Sequence, residues 1–215
     1  MMNSRPNRLE MRRDQRQKRR LRLGGYLIIT DAAETEVNYF NGFRSSIPSN
    51  LNNDLQFKVF SSKELKTIID FALNERNKDE RFRNVWIIFD RDEVSNFDGL
   101  IDAVKQAHMN AGWSNPCFEI WMSAYFGKMK NVGNSIQCCS EFGRLLVKCS
   151  NKKAYVKSDQ DIYEVLVRNG NENEAIGLAK RRYEAKSMDC KRPSGMIACT
   201  TVYQLIEEIR EKMQD

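Results

Sequence analysis

Apolar positions along the chain change their period several times, and each change marks an element. Residues 85–89, Val-Trp-Ile-Ile-Phe, form an unbroken apolar run rich in branched and aromatic side chains. That length and composition fit a strand buried on both faces of a sheet. Tyr26-Leu27-Ile28-Ile29-Thr30 reads as an earlier strand, and residues 55–60, Leu-Gln-Phe-Lys-Val-Phe, alternate like a half-exposed one. Between the strands the period lengthens. Val37, Phe40 and Phe43 recur at helical spacing within 34–43, with Asp31 or Thr35 available to cap the start. Ser61-Ser62 precede a helix over 63–77 with Leu65, Ile68, Ile69, Ala72 and Leu73 on one face, and residues 97–110 carry Leu100, Ile101, Val104 and Ala107. Strand and helix alternate three times. This predicts an α/β fold with a mostly parallel sheet flanked by helices.

Asn115-Pro116 forces an extended or turning backbone. Phe118, Ile120, Trp121, Met122 and Tyr125 then continue as an apolar helix. After Gly127 only amphipathic helices are expected, over 135–148, 159–168, 172–186 and 198–213, with no further strand. The chain thus divides into a basic N-terminal arm over 1–23, an α/β core over 24–126 and an α-helical C-terminal region over 127–215.

Charge adds a direction to this scaffold. The net charge is +6 and the isoelectric point about 9.0, which suits a polyanionic partner. Much of it lies in the arm, which holds Arg5, Arg8, Arg12, Arg13, Arg16, Lys18, Arg19, Arg20 and Arg22. Phosphate contact and a solvated tail both explain such an arm. Lys152, Lys153 and Lys157 bracket Tyr155, and Lys180-Arg181-Arg182 add a second basic group. Basic residues interleaved with tyrosine suit nucleic acid, and a solvated helix face accounts for them nearly as well.

The candidate chemistry sits at the strand ends. The strand over 85–89 delivers Asp90, Asp92 and Glu93 at its carboxyl end, where open α/β sheets bind ligands. Such a crowd repels itself unless a cation sits among it, and a hard divalent ion with oxygen ligands answers that need. Glu119 stands among large apolar neighbours, where a buried carboxylate is costly without something to bind; an exposed edge position is the other reading. Glu34 and Glu36 fit plain complementation of a helix dipole.

Other chemistries find less support. There is one histidine, His108, so His-rich zinc sites are excluded and a Ser-His-Asp or Cys-His apparatus would lack any surrounding motif. The cysteines at 117, 138, 139, 149, 190 and 199 form no C-x-x-C pair, and the adjacent Cys138-Cys139 suit one metal ion poorly. Reduced thiols are expected. Neither G-x-x-x-x-G-K-[ST] nor G-x-G-x-x-G after a strand occurs, which argues against a nucleotide-binding α/β protein. No apolar run is long enough to span a membrane, and no cleavable apolar segment follows the basic arm, so a cytoplasmic location is expected.

Three blocks carry a family resemblance. They are residues 31–40, beginning Asp31-Ala32-Ala33-Glu34-Thr35-Glu36, then Phe89-Asp90-Arg91-Asp92-Glu93, then residues 114–121, Ser-Asn-Pro-Cys-Phe-Glu-Ile-Trp. They match E-G-x-x-T-E-x-x-Y-F, D-R-D-E and S-N-P-x-F-E-x-W, and on them the chain resembles the RloB-like family. Members look like TOPRIM-type domains and are often found beside prokaryotic restriction and other phage-defence loci. The resemblance implies a Mg²⁺-dependent (or Mn²⁺-dependent) nuclease acting on DNA or RNA. Asp90 and Asp92 would hold the ion, with Glu93 and Glu119 as further ligands, and Asp31 with Glu36 would position metal or move a proton. Arg12, Arg13, Arg16, Arg19, Arg20, Lys153, Lys157, Arg181 and Arg182 would hold the polyanion, and a partner protein of a defence locus is implied. One position departs from the pattern: Asp31-Ala32 stands where the family has Glu-Gly, a carboxylate one methylene shorter. A nucleic-acid-binding or regulatory subunit that keeps the fold without the chemistry is the alternative this departure favours.

Overall fold

The central strand β3, Phe82–Asp90, is apolar on both sides and is covered on both sides. It pairs in parallel with β1, Gly25–Thr30, and with β4, Asn110–Asn115; β1 in turn pairs in parallel with β2, Phe57–Ser61. A two-residue strand β5, Cys199–Thr200, closes the far edge antiparallel to β4, giving the order β2-β1-β3-β4-β5. In the computed structural model, residues 8–9, 11–15, 24–52, 57–61, 67–92 and 94–214 are described.

Alternation along the strands sorts the core into two layers. Tyr26, Ile28, Trp86 and Ile88 point to one face, Leu27, Ile29, Val85, Ile87 and Phe89 to the other. The second face is covered by the helices Ile68–Lys78 (α3) and Phe97–Gln106 (α4), through Ile68, Ala72, Phe97, Ile101 and Val104. The opposite layer holds α1, Thr35–Ser45, and α2, the single turn Ser49–Asn52. It also holds α5, Glu119–Ala124; α6, Ser135–Cys149; α7, Ile162–Asn169; α8, Glu172–Asp189; and α9, Val202–Gln214. The C-terminal helices therefore share one core with the sheet.

A polar network crosses this larger layer. Glu172 Oε2 accepts from the Tyr125 hydroxyl at 3.1 Å and the Tyr163 hydroxyl at 3.0 Å, and Oε1 accepts from Arg210 Nε at 2.6 Å. The Tyr39 and Tyr125 hydroxyls are 2.7 Å apart. Because every buried partner is matched, the network fixes how α1, α5, α7, α8 and α9 meet without leaving a desolvated group.

The parallel sheet flanked by helices agrees with the reading of the sequence, while several details differ. The sequence pattern carries a helix to Asn110 and an extended or turning backbone at Asn115-Pro116, without a strand between them; the segment 110–115, Asn-Ala-Gly-Trp-Ser-Asn, is β4. Its composition is poor for a strand. What makes it one is the open edge of β3, together with Gly112, where a Cβ would lie 2.4 Å from Ile88 Cδ1. The preceding helix stops at Gln106, and His108 turns the chain in a left-handed conformation, φ 55°. β5 likewise corrects the expectation of helix alone after Gly127; α9 begins at Val202. Neither Asp31 nor Thr35 caps α1, whose first turn has no side-chain cap. Residues 55–56 of the expected second strand and 63–66 of the expected helix lie outside the described residues.

Gly42 sets the distance between α1 and α7, since a Cβ there would come within 2.6 Å of Tyr163 Cβ. Gly42→Ala is expected to destabilise the fold by about 1–3 kcal/mol through overpacking, although alanine ordinarily favours a helix over glycine by about 1 kcal/mol. Urea unfolding checks this, and unchanged or raised stability would contradict the close approach.

Candidate functional site

A parallel sheet brings the carboxyl ends of its strands to one edge, and here three strands end near acids. β1 runs into Asp31, β3 ends on Asp90, and β4 leads through the cis Asn115-Pro116 bond to Glu119 at the start of α5. α1 follows β1 after a short loop and adds Glu36 in its first turn. Asp31 and Asp90 meet directly: Asp31 Oδ2 accepts from the Asp90 backbone N–H at 3.3 Å. Asp90 Oδ2 accepts from the Phe118 N–H at 3.1 Å.

Burial governs the electrostatics of this edge. Glu36 is 3% exposed and Glu119 2%. Asp90 is half-exposed as a residue, yet its Oδ1 is sealed from solvent. Burial first, and then the Asp31 carboxylate, push Glu36 up to about 8. Burial, followed by Glu36, Asp31 and Glu119, pushes Asp90 well above the usual carboxylate range, against a smaller pull from the Phe118 N–H. Glu36 Oε2 and Asp90 Oδ1 have no hydrogen-bond partner among the described residues. Two sealed, unsatisfied carboxylate oxygens in a crowd of like charge have the donor chemistry of a hard cation site.

Glu119 is held from the other side. Its Oε1 accepts from the Tyr155 hydroxyl at 2.8 Å, which lies 3.1 Å from Thr35 Oγ1. Burial alone would lower Lys157, but Glu119, the thiols of Cys139 and Cys117, and Glu36 together hold it above its ordinary value. Lys157 is exposed at the rim of the acidic edge.

The structure separates the residues read together from the sequence. Asp31, Glu36, Asp90 and Glu119 interact at one edge. Asp92 leaves them: it is exposed, and its Oδ2 accepts at 2.7 Å from the N–H of Ser135, the first residue of α6, while Arg91 lies 3.6 Å from its Oδ1. The chain turns after Asp90, so the two-residue spacing no longer means a shared face. Glu93, Arg16, Arg19 and Arg20 lie outside the described residues. Arg12 and Arg13 are exposed in a short helical segment, Lys153 is exposed beside the Tyr155 loop, and Arg181 is exposed on α8. Arg182 donates to Asn131.

A second grouping has no precedent in the sequence pattern. Cys117, Glu119 and Cys139 place their ligand atoms within 4.8 Å of one another, the one such group of three among the described residues; the acidic edge is more open. The thiols are free, as expected; Cys138 is buried in the core and Cys139 half-exposed, and both interact with the Cys117 thiol. Tyr155, Cys117 and Cys139 carried no spacing signal, because residues from separate elements meet only in the fold.

The acidic edge predicts a pH dependence of stability. In the unfolded chain Glu36 titrates near 4.5, in the folded chain near 8. Across that window the unfolded chain sheds a proton the folded chain keeps, so the stability from neutral Glu36 is complete below the lower value and lost as pH rises through the upper. With chelator present, Glu36→Gln is expected to be more stable than the parent at pH 8, by a few kcal/mol at about 1.4 kcal/mol per pH unit of the window, and nearly equal to it at pH 5. Parallel unfolding-midpoint profiles for the two proteins would show that Glu36 is not the titrating group.

Comparison with known proteins returned no match among curated proteins and none among solved structures. A protein-family model described as RloB-like protein matches residues 26–209, a span that holds the four acids of this edge and the strands described except for Gly25, the first residue of β1. The chain belongs to the RloB-like protein family.

Proposed function

We propose that the chain is a metal-dependent nuclease that hydrolyses a phosphodiester of DNA or RNA, acting in anti-phage defence beside a partner from the same locus. The observation that carries this reading is the acidic edge itself, where Glu36 Oε2 and Asp90 Oδ1 are sealed and unsatisfied among four interacting acids. Asp90 and Glu36 would hold Mg²⁺ or Mn²⁺, with Asp31 and Glu119 beside them. Mg²⁺ is commonly held by one or two carboxylates and several waters, which suits an edge more open than a closed cage. When bound, such an ion polarises a phosphoryl oxygen and lowers the pKa of a water.

The remaining roles belong to this chain's own groups. In the free site burial and the Asp31 carboxylate favour the neutral form of Glu36, so an ion held there would displace a proton to solvent. Lys157, exposed beside the acids, supplies positive charge where a phosphate would approach. Asp92 positions the start of α6 through Ser135, and Tyr155 orients Glu119. Arg12 and Arg13, both exposed, would add positive charge for a polyanion.

A binding or regulatory subunit without the chemistry has one observation in its favour. Asp31, standing where the family pattern has glutamate, spends Oδ2 on the Asp90 backbone. A carboxylate committed to the main chain suits a positioning role as well as a catalytic one.

Labelled single- and double-stranded DNA and total RNA, incubated with Mg²⁺, Mn²⁺ or chelator, separate the readings. Asp90→Asn is expected to abolish metal-dependent cleavage, a loss of more than about 100-fold, whereas Asp92→Asn costs about 10-fold, as for a group acting through its neighbours. Cleavage retained by Asp90→Asn would sink the assignment. Binding without cleavage in the parent, under every metal, would favour the subunit reading.

Lys157→Ala gives a second check. It is expected to weaken binding across sequences alike and to flatten the slope of log affinity against log salt by about 1, as for one lost phosphate contact. An unchanged salt slope would remove Lys157 from the interface.

A further inference from the structure

Cys117, Glu119 and Cys139 come from two parts of the chain that the fold presses together. Cys117 and Glu119 flank the entry to α5, and Cys139 lies in α6. Their donor atoms lie within 4.8 Å of one another. Tetrahedral zinc, with Zn–S of about 2.3 Å and Zn–O of about 2.0–2.2 Å, needs neighbouring donors roughly 3.5–3.8 Å apart. The donors thus lie within about 1.3 Å of that spacing. The donors are two soft thiols and one carboxylate, a combination that selects a thiophilic cation over Mg²⁺.

Three further features fit a cation here. The Tyr155 hydroxyl donates to Glu119 Oε1 at 2.8 Å, an outer hydrogen bond of the kind that orients ligating carboxylates. Two thiolates and a carboxylate around a divalent ion leave one negative charge, and Lys157, whose protonated form Glu119, Cys139 and Cys117 favour, is there to offset it. Cys139 also faces an open groove, which it lines with Tyr155, Gly143, Arg144, Val147 and Ala154.

We propose that Cys117, Cys139 and Glu119 form a binding site for a thiophilic divalent cation, Zn²⁺ in the first place, with water completing the tetrahedron. Binding displaces the two thiol protons to solvent and forms two metal–sulfur bonds and one metal–oxygen bond, with no change of oxidation state. The ion ties the start of α5 to α6 on the same side as the Asp92–Ser135 contact and holds Glu119 in place at the acidic edge. The site shares Glu119 with the acidic edge, but its test involves no cleavage, so its failure and the failure of the nuclease reading are distinguishable.

Co²⁺ serves as the spectroscopic probe. The reduced full-length chain is expected to bind one equivalent with a thiolate-to-cobalt charge-transfer band that Zn²⁺ bleaches. Cys117→Ser and Cys139→Ser should each lose the band, Cys149→Ser and Cys190→Ser should keep it, and Glu119→Gln should keep it with affinity reduced about 10-fold or more. Alkylation of the unaltered protein, followed by peptide mass mapping, guards against a variant that fails to fold. Zn²⁺ should slow modification of half-exposed Cys139 at least tenfold and leave that of exposed Cys149 unchanged. No band in the parent, a band that persists in both serine variants, equal protection of Cys149, or a Cys117–Cys139 disulfide in place of bound metal would overturn the proposal.

Discussion

Everything in this fold depends on β3 being apolar on both faces. A strand of that kind is stable only between two layers, so α3 and α4 cover one side while α1 and the C-terminal helices cover the other. Covering both sides favours parallel pairing with helical crossovers, and parallel pairing sends the ends of β1, β3 and β4 to one edge. The acids meet there because hydrophobic burial elsewhere has already decided where the strands point.

That edge is energetically costly in isolation. Glu36 and Asp90 are desolvated beside like charges, and both are pushed toward their neutral forms. Structure elsewhere holds them in place. The matched Glu172, Tyr125, Tyr163 and Arg210 network locks the helices behind α1, and the aromatic packing of Tyr39 against Phe118 at 5.3 Å ties α1 to the entry of α5. Stability spent at a site and recovered in the surrounding core is the common pattern where groups are kept for binding or chemistry.

Glu119 links two donor sets of different character. On one side are the carboxylates of Glu36 and Asp90, on the other the thiols of Cys117 and Cys139. Thiolates favour a thiophilic ion, whereas carboxylates suit Mg²⁺ or Mn²⁺. Tyr155, reaching from the loop after α6, holds this shared residue through a single hydroxyl, which makes the loop part of the site although it is remote in sequence.

The sequence by itself determined the layered α/β plan, because runs of period two and 3.6 report burial directly: β1, β3, α1 and the amphipathic C-terminal helices were legible, as were Asp31, Asp90 and Glu119 as acids at strand ends or among apolar neighbours. β4 and β5 were decided only by the tertiary structure. Asn110–Asn115 and Cys199–Thr200 have little strand character of their own and are strands because each completes the hydrogen bonds of an open edge. Asp92 shows the same limit from the other side: its spacing from Asp90 suggested a pair, but the turn after β3 sends it to the start of α6. The Cys117, Glu119 and Cys139 group was invisible for a related reason. Spacing along a chain reports only neighbours within one element, and these side chains meet across two elements brought together by the packing of a common core.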